Sequence, residues 1–272
     1  VLLVINKTRI INIDIFNYWL ISIVGTIVYN VTDSIALGVS AAMLLYLIAF
    51  IIGDLTAESI QKMYNIQGVA FVHATCGIYV PIGIIVNKLI ESIPGLKNIE
   101  LNPEKVSNSL GVLGEPITLA TILGAGLGIL AGWPITEILP LSVKVAAVMV
   151  LLPKMVDVTV QGVMVIRDAG EKFMKNLFPG REFYFGMDTA LLIGEPSIIA
   201  TSLLLIPTAL ILAMVLPGNR MLPFTDLASI VFLISMVAPF CKRNMFRIYI
   251  TGVIILILCL YASTDLSSLY TD

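Results

Sequence analysis

Charge is scarce in this sequence, and histidine scarcer still. Charged side chains fill 12% of the 272 positions against 58% for hydrophobic ones, with a mean hydropathy of +0.99. Soluble domains carry about 25% charged residues, and no soluble fold of this size has interior enough to hide so much apolar surface. A water-soluble domain is therefore excluded. There is no basic excess either: 16 Lys and Arg face 18 Asp and Glu, a net charge of −2. That excludes the basic footprint of a nucleic-acid binder. The single histidine, His73, excludes a poly-His metal site. The three cysteines, Cys76, Cys241 and Cys259, are odd in number and lack metal or redox spacing. They read as small buried hydrophobes. No nucleophile–base constellation stands out, so no catalytic residue, metal or cofactor is expected, and a membrane-embedded enzyme without transport ranks last among the functions considered. The chain opens Val1-Leu2-Leu3-Val4-Ile5 with neither Met nor a signal-peptide layout, and reads as a fragment incomplete at both ends.

What the sequence has in quantity is long apolar runs. Ile35 to Ile52 contains no charge over 18 residues, close to the ~20 residues that a helix needs to cross a bilayer. Comparable segments are Ile15–Val31, Val69–Leu89, Ile117–Trp133, Ile135–Pro153, Ser197–Leu216, Phe224–Phe240 and Phe246–Ser263. The expected fold is an all-α polytopic membrane protein with about eight transmembrane helices plus re-entrant or broken ones. Met155–Ile166 is too short to cross and reads as an interfacial or broken piece. Gly53–Gln67 reads as an amphipathic connector, with Asp54, Glu58 and Lys62 on one face. Basic clusters at Lys7/Arg9, Arg167–Arg181 and Lys242/Arg243/Arg247 suit cytoplasmic loops, but with uncertain parity the orientation stays open.

The most informative feature is a repeat. Gly114-Glu115-Pro116-Ile117-Thr118-Leu119-Ala120-Thr121 recurs as Gly194-Glu195-Pro196-Ser197-Ile198-Ile199-Ala200-Thr201, the pattern G-E-P-x-x-x-A-T offset by 80 positions. Each copy opens an apolar run that is followed by a Gly/Pro break. The repeat halves are placed at about 68–166 and 186–263. Interrupted apolar segments at corresponding places in two halves point to the midplane site of a transporter. Proline suits the first helical turn, where its missing N–H would be unpaired anyway. Glycine lets the preceding chain turn sharply and approach a ligand. The glutamate between them then sits at the positive end of a half-helix, which offsets the cost, about 2.5–3.5 kcal/mol on insertion scales, of charge at bilayer depth.

Two such carboxylates, Glu115 and Glu195, suit a neutral polyhydroxylated solute, because each accepts charge-assisted hydrogen bonds from hydroxyls. The plainer reading makes them helix caps in surface loops. His73 lies in Val72-His73-Ala74-Thr75-Cys76-Gly77 within an apolar segment, where ionisable groups default to functional roles. It could bind a hydroxyl or act as a general base. Thr75, Thr118 and Ser197 could add neutral hydroxyl contacts, or bond to their own backbone. The Gly124/Gly126/Gly128/Gly132 series reads as close helix packing.

Several stretches resemble the galactitol-type Enzyme IIC family, in the ascorbate–galactitol group of phosphoenolpyruvate-dependent sugar phosphotransferase permeases. They are Asn12-Ile13-Asp14-Ile15-Phe16-Asn17-Tyr18-Trp19, Gly68-Val69-Ala70-Phe71-Val72-His73, Leu113-Gly114-Glu115-Pro116, Val215–Leu227 with its P-G-N-x-x-L-P-F-x-D-L pattern, and Arg243-Asn244-Met245-Phe246-Arg247. The resemblance runs along nearly the whole chain. It implies an inverted-repeat homodimer with dimerisation and core domains, elevator-type alternating access, and a place in the bacterial inner membrane. It also implies phosphorylation of the arriving solute by a phosphocysteine on a separate Enzyme IIB, itself charged through Enzyme IIA. Asp188 matches a family position as a substrate contact, its other reading being a helix cap. One departure is that the family's second motif often carries His where this chain has Glu195, which bears on galactitol itself more than on the polyol class. The alternative function is an ion-coupled secondary transporter of a small polar solute, which the same membrane glutamates would serve.

Overall fold

The computed structural model describes residues 3, 7–14, 16–102, 116–223, 227–267 and 269. Most of the chain is helical, and the helices follow the apolar runs. Helix α1 (Phe16–Thr32) and α2 (Ile35–Tyr64) form a hairpin; Ser34 starts α2 by accepting the Leu37 N–H at 3.4 Å, and Asn65 ends it in the left-handed conformation, φ 54°. Asn tolerates that conformation better than most residues. Asp54, Glu58 and Lys62 thus belong to the second half of α2 and not to a separate connector.

Beyond α3 (Val80–Ser92), α4 (Pro116–Leu130) and α5 (Ile135–Leu177) make a second hairpin. Its glycines divide into two kinds. A Cβ at Gly124 would lie 2.8 Å from the Ser142 Cα, and one at Gly128 would lie 3.0 Å from Ile138, so these two do bring the helices together. Gly126 faces open space, and Gly132 supplies a positive φ of 71° in the turn. Helix α5 has 43 residues, a length of about 64 Å at 1.5 Å per residue, twice a hydrocarbon core of about 30 Å. Met155–Ile166 is therefore the continuation of the span before it. Lys154 and Asp157 end the apolar run without ending the helix, and Pro153 is absorbed inside it.

The remaining helices are α6 (Pro196–Val215), α7 (Ile230–Ser235) and α8 (Met245–Leu266). They share a core built on Ile198, Leu205, Ile234, Ile248 and Ile255. Among the described residues, α2, α5, α6 and α8 are long and apolar enough to cross a membrane. They correspond to four of the eight expected crossings. Helix α1, at 17 residues, and α4, at 15, are shorter. Val69–Leu89 is broken: it begins extended, turns through a 3-10 segment at Gly77–Tyr79 and only then becomes α3. The described part of Phe224–Phe240 is broken as well, with α7 between 3-10 turns at Leu227–Ser229 and Ala238–Cys241.

The all-α expectation needs one correction. Strands β1 (Ile10–Asn12), β2 (Val69–Ala70) and β3 (Tyr184–Gly186) form a parallel sheet in the order β1-β3-β2, with Ile10 opposite Tyr184 and Val69 opposite Phe185. Both faces are buried, as parallel sheets require. Val69, Phe71, Phe185 and Met187 enter a core with Ile60, Cys76, Leu192 and Met236. Ile10, Ala70, Val72 and Tyr184 enter another with Ala49, Phe50 and Ala57 of α2. Strands of two or three residues are too short to display a period of two.

Candidate functional site

Parallel strands all point their carboxyl ends at one edge, and that edge gathers the polar residues. After β1 the chain runs through Asp14 into the first turn of α1, after β2 through Val72 and His73, and after β3 through Met187 to Asp188. Asp14, Asn17 and His73 are all buried. The Asn17 amide donates to Asp14 Oδ2 at 2.9 Å and to the Val72 carbonyl, and its oxygen accepts the Ala74 N–H at 3.3 Å. His73 Nδ1 accepts the Cys76 N–H at 3.2 Å and lies 3.1 Å from Thr75 Oγ1. A neutral ring that accepts at Nδ1 carries its proton on Nε2, so in this arrangement His73 presents a donor and not a general base.

Asp188 accepts the Ala190 N–H at 2.6 Å and thereby caps the 3-10 turn Thr189–Leu192. Cys76 Sγ lies 3.7 Å from Thr189 Oγ1, which ties the His73 turn to the Asp188 turn. His73, Thr75 and Asp188 are therefore brought together, and Asp14 and Asn17 join them.

Glu195 and Ser197 form a second group, at the start of α6. The proline begins the helix as expected, and Glu195 is its N-cap: Oε2 accepts the Ile198 N–H at 3.1 Å and the Ser197 hydroxyl. Oε1 accepts Arg243 Nε at 3.2 Å and Nη2 at 3.0 Å. A carboxylate offers about four lone-pair positions, and here four donors occupy them. The Glu195 side chain is 8% exposed and that of Arg243 49%, so the arginine is the solvent-facing partner. Gly194 makes its close approach to α5, where a Cβ would lie 3.0 Å from Val156, and not to a ligand. Glu195, Arg243, Tyr64, Asp157 and Gln161 line a cavity of about 370 Å³. Leu191, from the turn that Asp188 caps, also lines it, so this turn stands between the two polar groups.

Glu115 lies outside the described residues, as do Phe224–Asp226 of the P-F-T-D-L stretch. Thr118 is half-buried in the first turn of α4, which begins at Pro116 as α6 begins at Pro196. Ala120 and Ala200, the alanines of the two G-E-P-x-x-x-A-T copies, are buried in one cluster with Ile199, Ala146 and Met149. The opening turns of the two motif helices therefore meet.

Asp14, Asn17 and Arg243 are the polar residues that site reasoning from sequence did not single out. Each stands in a stretch that carries the family resemblance, and Arg243 belongs as well to the basic cluster at Lys242/Arg243/Arg247. A third polar group ties α3 to α8: buried Arg247 donates to Asn87, to Glu91 Oε1 at 3.1 Å and to the Lys97 carbonyl at 3.2 Å. Lys242 and then Arg247, both bonded to the Glu91 carboxylate, hold it below the usual carboxylate range. Among the described residues, no group of three or more His, Cys, Asp or Glu is placed to hold a metal ion.

The chain is 33% identical over 271 residues to the galactitol-specific EIIC component of the PTS system in Escherichia coli strain K12, and equally to that of strain O157:H7. It is 35% identical to a K12 protein provisionally named as a permease IIC component. Each match covers 100% of this chain but 60–62% of the relative, so the chain spans about three fifths of the length of these curated proteins. Residues 1–272 match the EIIC-GAT family throughout, and the chain belongs to that family of PTS sugar-specific permease components.

Proposed function

We propose that this chain is a membrane-embedded part of a permease that binds galactitol or a closely related polyol and carries it across the bacterial inner membrane. A separate Enzyme IIB, charged through Enzyme IIA, phosphorylates the solute on arrival. The observation that carries this reading is the buried polar edge of the parallel sheet. In a chain that is 58% hydrophobic, the turn that carries His73 and the Thr75 hydroxyl is tied through Asn17 to Asp14 and through Cys76 and Thr189 to the turn that Asp188 caps, a mixture of donors and acceptors that matches hydroxyls able to do both. Family membership favours a phosphotransferase permease over the ion-coupled alternative.

Thr118 at α4 and Glu195 and Ser197 at α6 form the facing part of the site, and Glu115, the acid of the first motif in sequence, is the further substrate contact. The shared burial of Ala120 and Ala200 supports this convergence. Because Arg243 fills Glu195 Oε1, a solute hydroxyl gains that oxygen only as Arg243 moves aside. The volume of about 370 Å³ falls within the range of small-molecule sites, about 300–1,000 Å³. The repeat halves, 68–166 and 186–263, carry the moving core of a homodimer with elevator-type access.

The test is uptake of labelled galactitol by cells carrying the full-length protein, with and without Enzyme IIB. Polyol phosphate that accumulates only with Enzyme IIB is the expected result. Free galactitol accumulating without it would sink the phosphotransferase reading.

A further inference from the structure

His73 sits on backbone that has no ladder of its own. β2 ends at Ala70, and the 3-10 turn begins at Gly77. Buried peptide groups in such a stretch need partners from elsewhere, and Val72, His73 and Ala74 are all buried. The two peptide groups that flank His73 are the Val72 carbonyl and the Ala74 N–H. Both go to one side chain, Asn17, which is 0% exposed: its amide donates to the first and its oxygen accepts the second. A side-chain amide presents an acceptor and a donor side by side, as the edge of a strand does, so Asn17 acts as a one-residue strand pairing with the backbone of His73. The second amide hydrogen goes to Asp14 Oδ2 at 2.9 Å, which fixes the rotation of the amide and leaves none of its hydrogens unused.

We infer that Asn17 is the positioning residue for His73, holding the imidazole at the polar edge through the two peptide groups on either side of it. The inference rests on the proposed role of His73 in polyol binding, and it extends the site to the first turn of α1. A chain segment held at both flanking peptides has its backbone torsions fixed, so the direction of the His73 Cα–Cβ bond follows from the side chain at 17. The Cys76 N–H bond to Nδ1, at 3.2 Å, then selects which ring nitrogen carries the proton.

The experiment uses the full-length protein in lipid nanodiscs with labelled galactitol as the probe and ¹⁵N-histidine as reporter. The His73 imidazole signals are identified by their loss in His73→Gln. Wild type is expected to show the Nε2–H form. Asn17→Ala is expected to weaken galactitol binding at least about tenfold, the equivalent of a lost hydrogen bond or two, and to replace the single His73 form with a mixture of tautomers. Asn17→Asp, the same size but without a donor for the Val72 carbonyl, is expected to behave likewise; it serves as the second variant should alanine fail to fold. Either variant binding like wild type with an unchanged imidazole spectrum would overturn the inference. So would a variant that only melts earlier, with affinity and tautomer intact. A wild type that binds no galactitol would overturn the substrate assignment, and the imidazole spectra of the variants would still decide the role of Asn17.

Discussion

Glu195→Gln tests how the second motif is held together. The carboxylate now serves two sets of donors, the helix-capping Ile198 N–H with the Ser197 hydroxyl on one oxygen and Arg243 on the other. A glutamine has one carbonyl oxygen, so it can keep one set and must turn an NH₂ toward the other. Losing an N-cap acceptor costs about 1 kcal/mol. A charge-assisted bond is worth about 1.5–3 kcal/mol, which the half-exposed Arg243 reduces to about 1 kcal/mol through solvent screening. Whichever set is given up, the expected loss is about 1 kcal/mol, or about 2–4 °C for a chain of this size. Thermal unfolding in detergent can be followed with a thiol-reactive dye, because Cys76 and Cys241 are buried and become reactive as the fold opens. Arg243→Gln alone is expected to cost about 1 kcal/mol, and the double variant less than the sum of the two, since they remove one interaction. A Glu195→Gln melting point within 1 °C of wild type would refute the four-donor description, as would strictly additive single costs.

Three further outcomes follow from packing and charge. Gly124→Ala places a Cβ 2.8 Å from the Ser142 Cα and is expected to lower stability by about 1–3 kcal/mol through overpacking; Gly126→Ala, facing open space, should be neutral or stabilise by up to about 1 kcal/mol, and equal melting points for the two would contradict the α4–α5 contact. Asn244→Ala removes the side chain that caps α8 through the Phe246 and Arg247 N–H groups, with an expected cost of about 1 kcal/mol read from the same unfolding assay. Lys242 and Arg247 depress the Glu91 carboxyl, so its contribution is present above the ordinary carboxylate value and is lost as pH falls through the lowered one. The melting-point gap between wild type and Glu91→Gln should therefore close on acidification, and a gap that widens would reverse the assignment.

The helices and the motif starts were largely legible in the sequence, because both depend on local chemistry. An apolar run marks α2, α6 and α8, and Pro116 and Pro196 open their helices where the G-E-P pattern says they should. Apolarity misled where it is not what sustains a helix: α5 continues through Lys154 and Asp157 because backbone hydrogen bonding survives a change of surface. The sheet was illegible for a different reason. Its strands are short, and each is stabilised by a partner far away in sequence, such as Ile10 by Tyr184. The site inherits that non-local character. His73 and Asp188 were identified separately, but nothing in the order of residues says that Asn17 grips both peptide groups around His73, or that Arg243 already occupies Glu195.

The strand order has a consequence for biogenesis. β1 and β2 touch only through β3, which lies between them. As the ribosome feeds the chain into the bilayer, the Ile10–Asn12 and Val69–Ala70 segments must wait, unpaired, until Tyr184–Gly186 has emerged more than a hundred residues after β2. Domains assemble vectorially during synthesis, and long-range pairing comes late. A nascent chain arrested before residue 184 would hold helices α1 to α5 while lacking the strip that joins the other two strands, so the polar edge that carries His73 is completed only once β3 is made.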